Sequence, residues 1–209
     1  MSHCSKWILG LTGGIASGKT TASAWLAQAG CAVIDADEES RALTRAEGEA
    51  IPEIARTFGL EFIGEDGALD RTRMRRLVFE NPEARQKLEA IIHPAVRRRV
   101  EEKLRQADGA YNVLVVPLLS SMLRYRPRLG RLLVIDLPEE EQATRLELRS
   151  GLTHAEALSI IRAQASRVER LAAADDILCN CGSREDLLEG LALLHEHYLA
   201  LAAHSEKGL

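Results

Sequence analysis

Aromatic residues are scarce in this sequence, at 4% of 209 residues, and there is no excess of positive charge. Lys and Arg number 27 against 31 Asp and Glu, which leaves a net charge of -4 at pH 7. Proteins that stack single-stranded bases need aromatic platforms, and general nucleic-acid binders carry a basic excess. The composition therefore argues against nucleic acid as a partner.

Long apolar runs are also lacking. No stretch approaches the ~18 to 20 continuous apolar residues of a membrane span, and the opening MSHCSKW has no apolar segment of the kind found in secretion signals. We therefore expect a cytoplasmic protein with no membrane partner. The length, at roughly 150 residues per domain, favours one large domain or a domain with an insertion. The oligomeric state is left open, with a monomer favoured.

Cysteines are too few for a disulfide scaffold: Cys4, Cys31, Cys179 and Cys181 are the only four. One residue separates the last two, whereas zinc knuckles use two to four, and no second Cys/His pair stands at matching spacing. We expect four reduced thiols and no zinc site.

A strand, a loop, a helix and a second strand follow one another near the start of the chain. Short apolar runs at Trp7 to Thr12 and Cys31 to Ile34 flank a helical segment from about Thr20 to Ala29, which Gly30 closes. This order is typical of a parallel βαβ unit.

Three further strands are predicted, at residues 112–116, 131–135 and 177–179. The first two are apolar without polar alternation, as in a parallel sheet with helices on both faces. The fold class is therefore α/β, with three layers and a five-stranded parallel sheet. We expect a single domain over residues 1–209, with a core at about 1–37 and 111–209 and a helical insertion at about 38–110.

The helical segments carry recognisable start and stop signals. The insertion has breaks at residues 59–67 and 81–82, and its last helix is expected to kink or break near His93-Pro94. Pro138 opens a helix that ends at Gly151. Thr153 and Glu156 form a capping box, before a long helix expected to reach about residue 174. Ser183 is the predicted N-cap of a final helix that extends to about residue 203.

The most specific motif is GGIASGKT at Gly13 to Thr20, a full match to G-x-x-x-x-G-K-[ST]. Its glycines allow consecutive backbone N–H groups to wrap a phosphate. Lys19 would add a point charge at the β and γ phosphates, and Thr20 a hydroxyl for Mg²⁺ at a helix N-terminus. Because a strand precedes the motif and a helix follows it, we predict nucleoside triphosphate binding.

Candidate acids follow the second strand. Asp35 and Asp37 would reach the phosphate-loop edge of the sheet if that strand lies beside the first. One could take the proton of an acceptor hydroxyl while the other holds Mg²⁺ through water. The alternative is that either aspartate only caps the next helix. Asp136 also ends an apolar strand, but Pro138 turns the chain away directly after it.

Three arginines are candidates for phosphate contacts. Arg41 lies one helical turn after Asp37, so an ion pair between the two is the alternative. Arg145 and Arg149 share a helix face before the break at Gly151, an arrangement typical of a mobile lid that closes on a triphosphate. The alternative is that both are solvated surface arginines.

The motif content narrows the class of nucleotide-binding protein. The Asn-Lys-x-Asp element of guanine-specific switches is missing, and the strand NVLVV leads into Pro117-Leu118-Leu119 with no acid, unlike that of most motor ATPases. A small kinase fits the sequence better. A kinase for another metabolite or nucleotide, and a silent nucleotide-binding module, remain as alternatives.

The chain resembles the dephospho-coenzyme A kinase family along nearly its whole length. The resemblance rests on LTGGIASGKT from Leu11, DADEESR from Asp35, IIHP from Ile91, VVPLL from Val115, and RAQASRVERLAAADDILCNCG from Arg162, in this order and spacing. It implies transfer of the ATP γ-phosphoryl group to the ribose 3′-hydroxyl of dephospho-coenzyme A, the last step of coenzyme A biosynthesis, with Mg²⁺.

The resemblance also implies roles for individual residues. Catalysis would involve Asp37 as base, with Lys19, Arg41 and Arg145, and Mg²⁺ would be held by Thr20 and Asp37. The acceptor would meet Asp35, Asp37, Arg41, His93, Pro117 and Leu118. A lone His93 would otherwise be interpreted as a core or helix-breaking histidine. A lid would span about residues 138–170. ATP would contact Gly13, Gly14, Ile15, Ala16, Ser17, Gly18, Lys19, Thr20, Thr21, Arg145, Arg149, Asn180 and Gly182.

Two positions depart from the family pattern. Ser121 stands where the family usually has a glutamate after Pro-Leu-Leu, which puts in question an acidic contact near the acceptor. Asn180-Cys181-Gly182 stands where Asn-Asp-Gly or similar is usual, close to the adenine.

Overall fold

The computed structural model describes residues 6–207 and contains one five-stranded sheet. Its strands are β1 (Ile8–Gly13), β2 (Ala32–Asp35), β3 (Asn112–Val115), β4 (Arg131–Asp136) and β5 (Asp176–Cys179), in the order β2-β3-β1-β4-β5. β1 runs parallel to β3 and to β4, and β4 runs parallel to β5. The predicted parallel α/β fold is confirmed. The placement of Asp35 and Asp37 at the phosphate-loop edge assumed that the second strand lies beside the first. That assumption is wrong, because β3 lies between β2 and β1.

The described residues also form ten α-helices, together with 3₁₀ turns at Leu60–Phe62 and Arg126–Arg128. They are α1 (Lys19–Gln28), α2 (Ala36–Leu43), α3 (Ile51–Phe58), α4 (Arg71–Glu80), α5 (Pro82–Gln106), α6 (Leu119–Leu123), α7 (Glu139–Ser150), α8 (His154–Arg162), α9 (Arg167–Ala173) and α10 (Arg184–Lys207). Within residues 6–207, none of these helices combines the length and the apolar character that crossing a bilayer requires.

The chain divides into two compact units, one formed by residues 1–34 and 104–209 and the other by residues 35–103. In the first unit, alternate residues of β1 face opposite sides of the sheet. Leu9 and Leu11 are buried in a core shared with α1 and α10, which contribute Leu26 and Tyr198. Gly10 points the other way, where an added Cβ would meet Met122 of α6. Helices therefore cover both faces, as the all-apolar strands predicted.

The second unit is helical and has a core of its own. Leu43 of α2, Ile54 of α3, Met74 of α4 and Ala95 of α5 form one buried cluster. Asp70 caps α4 by accepting a hydrogen bond from the backbone N–H of Arg73 at 2.9 Å. The second unit therefore has its own helix cap and its own apolar core.

Two helix predictions are corrected by the structure. α5 continues through Pro94 over 25 residues, so the expected alternative of a break there is wrong, since a proline removes only one N–H and the flanking turns keep theirs. The long helix predicted after Thr153 is two helices, because Ser166 and Glu169 form a second capping box that starts α9. The first capping box, of Thr153 and Glu156, is confirmed.

Candidate active site

The phosphate loop joins β1 to α1. Ala16 has a φ of 58° and Gly18, the N-cap of α1, a φ of 103°. Left-handed residues of this kind are typical of loops whose backbone N–H groups bind an anion. Lys19 Nζ donates to the carbonyls of Gly13 at 2.7 Å and Gly14 at 2.8 Å. Within the described chain, no side chain caps α1. Its first turn is therefore suited to an anion.

Asn180, directly after β5, is hydrogen-bonded to this loop. Its Nδ2 donates to the carbonyl of Ser17 at 2.8 Å, and its backbone N–H donates to the carbonyl of Asp136 at 2.8 Å. Asn180 is buried, and a Cβ on Gly18 would collide with its amide nitrogen. Position 18 therefore requires glycine both for its φ and for this close approach.

Arg145 on α7 lies against the same loop. Its guanidinium donates to the carbonyl of Asn180 at 2.8 Å and to that of Ala16 at 3.5 Å. Arg149, one turn later, is exposed near the C-terminal end of α7, where Gly151 has a φ of 66°. Only the first of these two predicted lid arginines is therefore placed beside the phosphate loop.

Two glutamines contact the phosphate loop and were missed by the sequence analysis. The backbone N–H of Ile15 donates to Gln164 Oε1 at 3.1 Å, between α8 and α9. Gln142 is fully buried against Gly14, where an added Cβ would meet its Oε1. Ile15 and Ala16 also pack on the apolar cluster shared by α7 and α8. A glutamine in a helical pattern carries no motif signal, so only the fold identifies these contacts.

Asp136, at the end of β4, is bound by an arginine that the sequence analysis also missed. It is buried, and Arg167 of α9 contacts both of its carboxylate oxygens, at 2.7 to 3.2 Å. The hydrogen bonds and charge of Asp136 raise the pKa of Arg167. Asp136 thus anchors α9, and its carboxylate is already engaged in charged hydrogen bonds.

Asp35 and Asp37 have different surroundings. The Asp35 carboxylate accepts from the backbone N–H of Asp37 at 2.8 Å and of Glu38 at 3.4 Å, so it is the N-cap of α2. The alternative interpretation of Asp35 as a cap is therefore confirmed. Asp37 and Arg41 are one turn apart on α2, and both are exposed. These two residues present a carboxylate and a guanidinium on the same side of the helix.

Glu39, on the opposite side of α2, was not predicted. It is 3% exposed and forms ion pairs with Arg99 and Lys103 of α5. A buried carboxylate partner for Arg99 cannot be inferred from charge spacing alone. On the same helix α5, His93 is exposed.

Pro117 and Leu118 follow β3. Pro117 accepts a weak hydrogen bond from Thr12 Oγ1 at 3.4 Å through its carbonyl, and Leu118 is exposed at the start of α6. Ser121 lies within α6, on the segment where the family pattern has an acid.

The prediction of reduced thiols is wrong at the end of β5. Cys179 and Cys181 form a disulfide across Asn180, with their Cα atoms 5.6 Å apart, inside the range that a disulfide needs. A spacing of one residue is too short for a zinc knuckle but allows this disulfide. Cys31 is a free, buried thiol, and Cys4 lies outside the described residues.

A metal site built from protein side chains alone is not found in residues 6–207, where no three His, Cys, Asp or Glu side chains gather around one point. Thr20 lies in the first turn of α1 and is exposed, so its hydroxyl is accessible. Mg²⁺ in kinases is commonly held by one or two protein oxygens together with substrate phosphates. A lone hydroxyl beside a phosphate loop fits that mode of binding.

Comparison with known proteins identifies the family. The family model described as dephospho-CoA kinase matches residues 7–186. A curated dephospho-CoA kinase of Burkholderia pseudomallei is 46% identical over 196 residues, which cover 93% of this chain and 97% of the relative. The chain belongs to the dephospho-coenzyme A kinase family. The dephospho-CoA kinase of Bordetella pertussis is similar to it as well, at 48% identity over 203 residues, covering 96% and 95% of the two chains.

Solved structures share the fold of this chain. The structure of TT1252 from Thermus thermophilus superposes with a TM-score of 0.78 at 39% identity, covering 91% of this chain and 97% of that one. A dephospho-CoA kinase from Campylobacter jejuni, at 23% identity, shows the same fold with a TM-score of 0.63 over 91% and 96% of the chains. The resemblance seen in the sequence is thus confirmed at the level of family and fold.

Proposed function

We propose that this chain transfers the γ-phosphoryl group of ATP to the ribose 3′-hydroxyl of dephospho-coenzyme A and releases coenzyme A and ADP. The observation that carries the proposal is a complete phosphate loop within a chain that aligns along 93% of its length with a dephospho-CoA kinase. Such a transfer needs positioning and charge neutralisation more than covalent chemistry.

The triphosphate would bind along the phosphate loop, residues 13–21. Its backbone N–H groups and the N-terminus of α1 supply hydrogen bonds, and Lys19 supplies a charge. Arg145, which donates to the carbonyl of Ala16, would add a second charge for the triphosphate. Arg149 would join it only on closure of a lid at about residues 138–170. Asn180 and Gly182 would border the adenine.

Mg²⁺ would enter with the triphosphate, held by the hydroxyl of Thr20 and, through water, by Asp37. When bound, the ion would neutralise charge on the β and γ phosphates. Thr20 contributes by placing a neutral oxygen ligand at the start of α1, where the neighbouring N–H groups bind the phosphates themselves.

The acceptor would bind to the helical unit, within the proposed insertion at about residues 38–110. Asp37 would accept the proton of the 3′-hydroxyl as general base, and Arg41 and His93 would contact the acceptor. Asp35 would act by capping α2, which sets the start of the helix that carries Asp37. Pro117 and Leu118 are further proposed acceptor contacts. We further propose that the enzyme is cytoplasmic and monomeric.

A coupled assay of ADP release with purified protein, MgATP and a panel of acceptors tests this proposal. Dephospho-coenzyme A should support turnover well above that of shikimate, nucleoside monophosphates and free ribose. Turnover with another acceptor only would identify a different kinase of the same class. Tight ATP binding with no acceptor turnover would indicate the silent nucleotide-binding module.

Asp37→Asn tests the general base. It should lower kcat by about 10²- to 10⁴-fold while MgATP binding persists. Glu38→Gln, which removes the neighbouring exposed carboxylate, is the matched control and should keep near-normal turnover. Undiminished turnover of Asp37→Asn would remove that residue from the proposed role.

A further inference from the structure

Glu39 is a buried carboxylate held by two cations. Its side chain is 4% exposed, Arg99 Nε lies 2.9 Å from Oε2, and Lys103 Nζ binds Oε1. Both cations are on α5, four residues apart and hence on one face of that helix. The cluster therefore joins α2 to α5 within the helical unit.

The charge state of Glu39 follows from this geometry. Burial raises the pKa of the carboxyl, but the hydrogen bonds and charges of Lys103 and Arg99 outweigh burial and bring the pKa below its usual value. Glu39 is therefore ionised at neutral pH. Removal of its charge would leave two neighbouring cations on α5 without their shared carboxylate partner.

The position of Glu39 on α2 is informative. Ala36, Glu39 and Leu43 form the buried stripe of this helix, whereas Asp37 and Arg41 are exposed. At 100° per residue, Glu39 is about 200° around the helix from each of the two exposed residues. The side of α2 that the ion cluster holds is thus opposite to the side that carries the proposed chemistry.

α2 needs such an anchor because it has only eight residues. A helix this short has little stability of its own, so its orientation is set by its cap and its tertiary contacts. α5, the partner helix, also carries His93 about 9 Å along the axis from Arg99, at 1.5 Å per residue. The cluster therefore links the two helices that carry Asp37, Arg41 and His93.

We infer that Glu39 is a positioning residue for the phosphoryl transfer, which holds Asp37 in its working direction through Arg99 and Lys103. This inference rests on the proposed function of Asp37. An ion cluster around a buried carboxylate is seldom the most stable way to pack two helices together, since apolar residues of similar volume stabilise the contact as well or better. What a two-cation cluster adds is a defined rotation and register of one helix against the other.

Glu39→Gln, which keeps the shape and removes the charge, is the central test. Its kcat should fall about tenfold, while the KM for ATP stays within about twofold, since the phosphate loop is unaffected. Arg99→Met and Lys103→Met, which each leave one cation on Glu39, should show smaller losses in the same direction. Near-normal kcat in Glu39→Gln, in a protein that folds, would overturn the inference.

Two controls separate positioning from general loss of stability. Arg98, which is also on α5, forms an ion pair with the exposed Glu49. Glu49→Gln removes the charge of that pair and should leave kcat unchanged. Met74→Leu perturbs the same core without touching the cluster and should lower stability with little change in kcat. A proportional fall of kcat with stability across these variants would contradict a positioning role.

A double-mutant cycle with Asp37→Asn decides whether Glu39 acts through Asp37. If it does, Glu39→Gln should lower the residual rate of Asp37→Asn by less than about twofold, because the group it positions is gone. Multiplicative losses would show that Glu39 acts elsewhere. If the proposed function itself is wrong, the wild-type protein will not turn over dephospho-coenzyme A, or Asp37→Asn will be as active as the wild type.

Discussion

The side chain of Asn180 donates a hydrogen bond to the backbone carbonyl of Ser17, 163 residues earlier in the chain, at 2.8 Å. The backbone of Asn180 is itself held by Asp136 and Arg145. A residue at the end of the last strand thus fixes the shape of a loop that follows the first strand. The phosphate loop is therefore built from distant parts of the chain.

Asn180→Ala should weaken nucleotide binding. The carbonyl of Ser17 would lose its buried donor, at a cost of about 1 to 2 kcal/mol, and the loop would lose its lateral support. We expect the KM for ATP to rise about tenfold in steady-state assays. Asn112→Ala is the matched control, since Asn112 is also a buried asparagine but donates to the carbonyl of Leu104. An unchanged KM for ATP in Asn180→Ala would contradict this account.

Arg145→Ala and Arg149→Ala should differ, although both remove an arginine from one face of α7. Arg145 donates to the loop at Ala16, whereas Arg149 is exposed near the end of the helix. We expect Arg145→Ala to lower kcat/KM for ATP about 100-fold, the scale of a lost transition-state cation, and Arg149→Ala to lower it much less. Equal losses would show that both arginines reach the triphosphate in the closed state.

Acid should destabilise the wild type more than Glu39→Gln. The folded pKa of Glu39 lies below the reference value of 4.5, so its ionised form favours the folded state. That stability is present above the unfolded pKa and is lost as the pH falls through the folded pKa. Urea unfolding of both proteins from neutral pH to below 4.5 should show the stability difference shifting toward the variant. A difference independent of pH would argue against an ionised Glu39.

The disulfide between Cys179 and Cys181 should release two thiols on treatment with a dithiol. Both residues are exposed, and Asn180 between them keeps three hydrogen bonds that do not involve sulfur. Turnover should therefore change by less than about threefold, since the closed ring is too small to hold distant structure. Thiol titration of the denatured protein before and after reduction checks the count. Lost activity on reduction would show that the ring itself shapes the loop.

The sequence predicted those features that depend on neighbouring residues. The phosphate loop, the apolar strands and the capping box at Thr153 are local patterns, and each is found in the structure. The second capping box, of Ser166 and Glu169, is also a local pattern, and the prediction of one continuous helix overlooked it. The strand order, with β3 between β2 and β1, depends on packing that no local pattern encodes.

The contacts that complete the site are long-range and therefore could not be predicted. Gln164 meets Ile15, Arg167 meets Asp136, and Glu39 meets Arg99, each across 31 or more residues. Charge spacing along a helix predicts i,i+4 pairs, but it cannot identify a partner on another helix. Strand ends and helix spacing indicated Asp37 and Arg145 as candidates, and the family resemblance implied their roles, but neither identifies the residues that hold them.

Analysis of the product made from dephospho-coenzyme A and MgATP tests the central claim most directly. Mass spectrometry and ³¹P NMR should show one coenzyme A formed for each ADP, with the new phosphate on the ribose 3′-oxygen. ADP formed without coenzyme A, or a phosphate on another oxygen, would contradict the proposed reaction.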